Sequence, residues 1–224
     1  MAQARPLTAV LFDWRGVLVH DPPHEWWVRE ALLRAGRAAD EEHVVEISDA
    51  LRRAGDLPEV VAGEAGCDCS AAAHREWSNM VFRLAGLDDE LAEALYRLDF
   101  DAASHPFYPD VEPVLRELHE RRCRIALVSD IHVDLRPEFA AAGIAQYFDA
   151  FVLSFEHGVQ KPDPRIFEIA LGALGAEPAD TLMIGDRASH DGGAVKAGIE
   201  TWLLPAASDP DRPRGLDRVL AFVA

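Results

Sequence analysis

Positive charge is scarce in this sequence. Its 224 residues include 22 lysines and arginines against 39 aspartates and glutamates, which gives a formal net charge of -17. The densest basic cluster, residues 121–124, is interrupted by Cys123 and suits the end of a helix, where cations complement the helix dipole. Because nucleic acid and anionic membrane surfaces repel such a chain, we predict that neither is a partner. Any bound anion would need positive charge gathered locally, from a metal ion or a few side chains.

Long apolar runs and paired cysteines are also missing. No run approaches the roughly 20 apolar residues of a membrane span. Residues 1–8 lack the basic-then-apolar order of a secretory signal, so we predict a cytoplasmic protein. Cys67, Cys69 and Cys123 are odd in number, and a Cys-x-Cys pair without a second pair makes a poor zinc site. We therefore predict three reduced thiols.

Short apolar runs alternate with amphipathic segments along most of the chain. The chain length allows one such domain with a modest insertion. Alternating β and α elements of these lengths predict an α/β fold, a doubly wound parallel sheet of about five strands. The predicted strands are residues 9–12, 125–128, 150–153, 182–184 and 201–204, and the predicted helices between them are residues 111–122, 136–142, 164–174 and 192–197.

Residues 20–103 break this alternation. The segment lies between the first and second strands and contains four helical patterns, at residues 24–35, 41–54, 71–84 and 89–98. We predict a core formed by residues 1–19 and 104–224, with residues 20–103 inserted as a helical unit. His74 and Arg75 are expected on a solvated helix face. Side chains of this unit that could face a ligand are His20, Trp26, Trp27, Arg75, Trp77 and Asn79.

Polar residues stand at the ends of four of the five predicted strands: Asp13, Ser129, Ser154 and Asp186. The carboxyl ends of parallel strands share one edge of the sheet, and ligands bind at that edge where the winding reverses. One strand-end aspartate alone is often only a turn or capping residue. The set of four therefore predicts a functional site at this edge.

Four segments occur in a fixed order: Val10-Leu11-Phe12-Asp13-Trp14-Arg15-Gly16, then Ser129-Asp130, then Lys161-Pro162, then Gly185-Asp186 with Asp191 five residues later. In this order they resemble the motifs of the haloacid dehalogenase superfamily, which are an aspartate nucleophile, a serine or threonine, a lysine and a paired acidic motif. The resemblance covers the whole chain. It implies a Rossmann-like core with a helical cap of the C1 type at residues 20–103.

The resemblance implies a Mg2+-dependent hydrolase, foremost a phosphatase acting on a small phosphorylated metabolite, as a monomer or homodimer. Asp13 would attack phosphorus and become a transient aspartyl phosphate. Lys161 would neutralise charge beside the nucleophile, in keeping with the charge stabilisation that phosphoryl transfer needs. The implied Mg2+ ligands are Asp13, Asp186 and the backbone carbonyl of Arg15, supported by Asp191. The implied phosphoryl ligands are Ser129, Asp130 and backbone N–H groups at Trp14 and Gly16.

Arg15 departs from the family pattern. Most phosphatases of this superfamily carry a second aspartate at this position, which protonates the leaving alcohol and then assists water. Arginine stays protonated in proteins and is a poor proton donor or acceptor, whereas general acid–base help is worth about 10^2- to 10^4-fold in rate. Because Arg15 occupies this catalytic position, the sequence predicts one of three outcomes: a slow phosphatase, an aspartyl phosphate that hydrolyses slowly, or a substrate whose leaving group needs no proton.

Other functions stay open at this point. One alternative is a protein that binds a phosphorylated ligand with little or no turnover. Another is a haloacid dehalogenase, which releases halide without protonating it, although such enzymes lack the acidic motif seen here at Asp186. Phosphonoacetaldehyde hydrolases share the Asp-Trp-x-Gly opening but need a cap lysine, and residues 20–103 contain none. Arg15 itself is expected either to clamp an anion with its planar guanidinium or to pair with a carboxylate of the cap.

Overall fold

The computed structural model describes residues 6–223 and contains a five-stranded parallel sheet in the order β3-β2-β1-β4-β5. This confirms the predicted doubly wound α/β class. The prediction made on residues 1–8 lies largely outside the described residues. The strands are β1 (Ala9–Phe12), β2 (Arg124–Ser129), β3 (Ala150–Leu153), β4 (Thr181–Gly185) and β5 (Glu200–Leu203).

The central position of β1 explains its sequence. All four residues of β1 are buried, because it pairs with β2 on one side and β4 on the other. A strand covered on both faces is uniformly apolar and does not alternate. Phe12 pairs with Leu127 and Ile184, so the residues that follow β1, β2 and β4 emerge at the same edge of the sheet.

Between β1 and β2 the chain forms a helical insertion with a hydrophobic cluster of its own, centred on residues such as Val28, Leu32 and Val44. Its helices are α1 (His24–Arg34), α2 (Glu41–Gly55), α3 (Pro58–Glu64), α4 (Ala71–Leu84) and α5 (Asp89–Leu98). We did not predict α3, which has only seven residues and starts with Pro58 at the first helical position. Among residues 6–223, no helix is long and apolar enough to cross a membrane.

Helices on both faces of the sheet enclose two further hydrophobic clusters. They are α6 (Val111–Glu120), α7 (Arg136–Ala141), the single turn α8 (Ser154–His157) and α9 (Pro164–Leu174). The α-helix predicted at residues 192–197 is instead a 3-10 helix, Asp191–Ala197. This helix packs closely against the loop that carries Lys161, since a Cβ on Gly193 would lie 2.6 Å from the carbonyl oxygen of Pro162.

Candidate active site

Asp13 and Lys161 meet at the carboxyl edge of the sheet. The Lys161 ammonium lies 2.7 Å from Asp13 Oδ1 and 2.7 Å from Asp191 Oδ1, and only 2% of the lysine side chain is exposed. Burial acts to lower the pKa of Lys161, but Asp13 and Asp191 outweigh it and raise the pKa. The lysine is therefore a fixed positive charge between two carboxylates.

The carboxylates of this group differ in their electrostatics. Burial raises the pKa of Asp13, and the charges of Asp191 and Asp186 add to the rise although Lys161 opposes it. Burial also acts to raise the pKa of Asp191, but Lys161 and the backbone N–H groups of Asp186 and Arg187 hold that pKa below its usual value. Asp191 is thus a stabilised anion, while Asp13 is an anion short of compensating positive charge.

The donor set at this edge fits Mg2+. One carboxylate oxygen from each of Asp13, Asp186 and Asp191 lies within 4.8 Å of the others, and the Lys161 ammonium contacts two of the three, Asp13 and Asp191. Asp186 Oδ1 is buried without a hydrogen-bond partner, and burial and the charge of Asp191 raise the pKa of Asp186. A cation bound at this oxygen would therefore stabilise the carboxylate. Asp191 already uses Oδ1 for Lys161 and Oδ2 for two backbone N–H groups. This leaves Asp13 and Asp186 as the stronger candidates for direct ligands.

The loop after Asp13 brings the backbone unusually close to Asp186. Gly16 has φ +70, and a Cβ at this position would lie 2.1 Å from Asp186 Oδ2. The Gly16 N–H donates to the Val19 carbonyl at 2.9 Å, and the Gly16 carbonyl accepts from Arg214 Nε at 2.6 Å. The Gly16 N–H thus already has a hydrogen-bond partner, and its expected role as a phosphoryl donor stays a prediction. The absence of a side chain at Gly16 makes room for Asp186.

The second strand end contributes a hydroxyl and a positioning carboxylate. Ser129 ends β2, is 2% exposed and lines the same cavity as Asp13. Asp130 Oδ1 accepts from the Lys161 backbone N–H at 2.8 Å, which fixes the loop carrying the lysine, and burial raises the pKa of Asp130 to about 6. Ser154, the third strand-end residue, does not join the site. Its hydroxyl donates to the Asp68 carbonyl at 2.6 Å and thereby anchors the insertion.

Arg15 pairs with a carboxylate of the helical insertion. Its Nη2 donates to the carboxylate of Asp99 and, at 3.3 Å, to the Asp99 carbonyl. Burial acts to lower the pKa of Arg15, but Asp99 and Asp21 outweigh it and raise the pKa. The sequence left two roles open for Arg15, an anion clamp or a partner for a carboxylate of the insertion, and this geometry matches the second. The guanidinium of Arg15 is a poor proton donor for a leaving group.

A polar cluster of Asp68, His74 and His132 also lies between the insertion and the sheet edge. His132 Nδ1 is 3.3 Å from Asp68 Oδ1, and the two imidazoles stack at 3.5 Å between centroids with an 11° interplanar angle. Stacked parallel rings direct their lone pairs within separate planes, so one metal ion cannot lie in both planes. The expected solvated face for His74 is wrong, because its side chain is only 12% exposed.

Two neighbouring cavities are associated with these residues. The strand-end cavity, about 190 Å3, is lined by Asp13, Ser129, Lys161 and Asp186, together with Trp14 from the loop after β1 and Asp68 from the insertion. The insertion cavity, about 350 Å3, is lined by side chains of α1, α2, α4 and α5. Of the insertion residues singled out in the sequence, Trp77 lines both cavities and Trp27 lines the second, whereas His20, Trp26, Arg75 and Asn79 line neither.

Elsewhere the chain matches its sequence-based expectations on sulfur chemistry. Cys67, Cys69 and Cys123 are unpaired. Burial raises the pKa of the Cys67 and Cys123 thiols, which keeps them protonated and chemically quiet. The cysteines therefore do not compete with Asp13 as nucleophiles.

Comparison with known proteins places these features in a family. A model of haloacid dehalogenase-like hydrolases matches residues 7–198. The haloacid dehalogenase-like hydrolase domain-containing protein 3 of Mus musculus is 30% identical over 210 residues, covering 83% of this chain and 82% of that protein. The ribulose-1,5-bisphosphate 5-phosphatase of Halopiger xanaduensis is 28% identical over 227 residues, covering 94% and 90%.

Shorter matches and solved structures agree. The phosphoserine phosphatase of Thermus thermophilus is 36% identical over 126 residues, covering 55% of this chain and 49% of that protein, so the chain spans about half of this relative's length. A crystal structure of a dehalogenase with an intermediate complex has a TM-score of 0.68 at 19% identity, covering 100% of this chain and 99% of that one, a likeness of fold. The chain belongs to the haloacid dehalogenase-like hydrolase family.

Proposed function

We propose that this protein is a Mg2+-dependent phosphatase that hydrolyses a small phosphorylated metabolite through an aspartyl phosphate at Asp13. The observation that carries the proposal is the buried group in which Asp13 lies 2.7 Å from the Lys161 ammonium and beside Asp186 and Asp191. The relatives named as phosphatases of phosphoserine and ribulose-1,5-bisphosphate support the same reaction class. A cytoplasmic location and a cap function for residues 20–103, over a core of residues 1–19 and 104–224, form part of the proposal.

The chemistry follows from the position of each group. A carboxylate oxygen of Asp13 attacks phosphorus while the bond from phosphorus to the leaving oxygen breaks, and the leaving alkoxide takes a proton from water because Arg15 cannot supply one. Water then attacks the aspartyl phosphate, which releases phosphate and restores the Asp13 carboxylate. Lys161 offsets negative charge next to the nucleophile, and Ser129 donates its hydroxyl to a phosphoryl oxygen. Mg2+, held by Asp13 and Asp186 with Asp191 in support, would supply further charge neutralisation.

Arg15 favours a second candidate, a phosphate-binding protein with little turnover. Its guanidinium cannot protonate the leaving alkoxide, and it is paired with Asp99. A haloacid dehalogenase would be compatible with Arg15, but Asp186 Oδ1 and the acidic group around it call for a cation, which halide displacement does not require. We therefore favour the phosphatase over both.

The proposed function is tested by phosphate release from a panel of phosphorylated metabolites, with Mg2+ and with chelator. We expect release that needs the metal and that is abolished by chelation. Halide release from 2-haloacids is measured in parallel. Turnover of a haloacid in chelator would replace the phosphatase by a dehalogenase, and silence on the whole panel with tight phosphate binding would favour the binding protein.

Replacement of Gly16 by alanine tests whether the close approach of Gly16 to Asp186 matters for activity, apart from any effect of backbone strain. The new Cβ would collide with Asp186, so we expect at least tenfold less phosphate release and a smaller rise in melting temperature on adding Mg2+. Gly36→Ala is the matched control, because Gly36 has φ +68 but no atom within 4 Å of the added Cβ. Both variants should lose roughly 1–2 kcal/mol of stability from the positive φ. Equal activity in the two variants would show that the approach of Gly16 to Asp186 is unimportant.

A further inference from the structure

The strand-end cavity is smaller than most small-molecule sites. Its volume of about 190 Å3 lies below the roughly 300–1,000 Å3 typical of small-molecule sites. It accommodates a phosphoryl group together with a short alcohol part. A phosphate ester with a bulkier alcohol part must extend beyond it.

The insertion cavity adjoins the strand-end cavity. Four residues line both: Arg15, His74, Trp77 and Asp99. The Arg15–Asp99 pair therefore stands where the two spaces meet. A ligand with its phosphoryl group beside Asp13 would reach the insertion cavity by passing this pair.

The wall of the insertion cavity is mainly apolar. The indole N–H groups of Trp27 and Trp77 donate to backbone carbonyls of Pro22 and Val60 at 2.9 and 3.0 Å. Their polar atoms are thus already satisfied, and ring surface is what they offer a ligand. Further apolar lining comes from Leu51, Val81, Phe82 and Leu95.

The charges around this cavity disfavour an anion. Arg15 is paired with Asp99, Asp21 lines the same cavity, and Asp68 lines the adjoining one, so the acidic groups outnumber the single positive charge of Arg15. Burial lowers the pKa of His74 to about 4, which leaves that imidazole neutral near pH 7. An added carboxylate or second phosphate would face excess negative charge in a partly desolvated space.

We propose that the insertion cavity binds the alcohol part of the substrate and selects phosphate monoesters whose alcohol is mainly apolar, preferably a ring, and carries no negative charge. The proposal rests on the proposed function for its reaction. Its test is a binding experiment that needs no turnover. Hydrolysis and selectivity can therefore fail separately.

Three inert phosphonates test the selection by calorimetry in the presence of Mg2+: methylphosphonate, benzylphosphonate and 4-carboxybenzylphosphonate. We expect benzylphosphonate to bind at least tenfold more tightly than methylphosphonate and at least tenfold more tightly than the carboxylated compound. Equal affinities for the first two, tighter binding of the carboxylated one, or no binding of any, would overturn the proposal. If the phosphonates bind in the expected order but no ester is hydrolysed, the proposed phosphatase function is wrong and the proposed selectivity of the cavity stands.

Two variants locate the effect. Val81→Phe should narrow the insertion cavity and weaken the binding of benzylphosphonate towards that of methylphosphonate, while the binding of methylphosphonate is unaffected. Val45→Phe, at a 42% exposed site of the same insertion, is the control. Asp21 is an exposed residue that lines the cavity, and Asp21→Asn should tighten the binding of 4-carboxybenzylphosphonate several-fold because it removes a negative charge. Glu46→Gln, at an exposed residue outside the cavity, should leave that binding unchanged. Unchanged affinities in both test variants would place the ligand elsewhere.

Discussion

Asparagine in place of Asp13 is expected to lower phosphate release by at least about 10^3-fold, because an amide is a far weaker nucleophile than a carboxylate. The same substitution should raise the melting temperature in chelator near pH 7. The folded-state pKa of Asp13 is raised by burial and by neighbouring carboxylates. Its ionisation therefore destabilises the folded protein at neutral pH, and a neutral isostere removes that cost.

The pH dependence gives this prediction a sign that can be checked. A group whose folded pKa is raised loses its stabilising contribution as pH rises from the unfolded value through the folded value. The melting-temperature gain of Asp13→Asn should therefore be present near pH 7 and vanish below about pH 4. Lys161 keeps its second partner, Asp191, in the variant, so the lysine is not stranded.

An exposed carboxylate supplies the control. Asp217 is exposed, and Asp217→Asn should change neither the activity nor the pH dependence of the melting temperature. If Asp13→Asn retained full phosphate release, the nucleophile would be another group. If it melted well below wild type at pH 7, the pairing with Lys161 would outweigh the mutual repulsion of the carboxylates.

The sheet and the strand-end residues could be read from the sequence because their signals are local. β1 and β3 have the predicted bounds, and the other three strands differ from the prediction by one residue at each end. Uniformly apolar runs identify buried parallel strands, and the parallel register then brings Asp13, Ser129 and Asp186 to one edge without any knowledge of side-chain contacts. Lys161 could be assigned only through the order of the family motifs.

The contacts between the insertion and the core could not be predicted from the sequence. Asp99 is 84 residues from Arg15, and Asp68 lies 64 residues from His132. Neither acid stands in a motif, and the short 3-10 helix Cys67–Cys69 that carries Asp68 has no periodicity to predict it. Their positions depend on how the insertion packs over the sheet. The sequence could therefore state that Arg15 needs a partner or a ligand, but not which.

Restoring an aspartate at position 15 is expected to increase the rate only when its new surroundings are adjusted. Arg15→Asp alone would place a carboxylate beside Asp99, with Asp21 and Asp68 also near, and would leave Asp99 without its partner at 21% exposure. Loss of a partly buried pair costs about 1–3 kcal/mol. We expect the melting temperature to fall by about 3–10 °C.

The double variant Arg15→Asp with Asp99→Asn removes the repulsion and leaves a potential hydrogen-bond partner. The remaining acids raise the pKa of the new aspartate, so that it can donate a proton. We expect kcat/KM for benzyl phosphate to rise about 10^2-fold over wild type. For 4-nitrophenyl phosphate, whose leaving group needs little protonation, the gain should be much smaller.

Arg15→Asn with Asp99→Asn is the matched control, since it removes the same ion pair without introducing an acid. Its kcat/KM for benzyl phosphate should stay near the wild-type value. An equal gain in this control would mean that releasing the insertion from Arg15, and not proton donation, accelerates the reaction. No gain in either folded variant would mean that proton transfer to the leaving group does not limit the rate, and the pairing of Arg15 with Asp99 would then be retained for closing the insertion over the site.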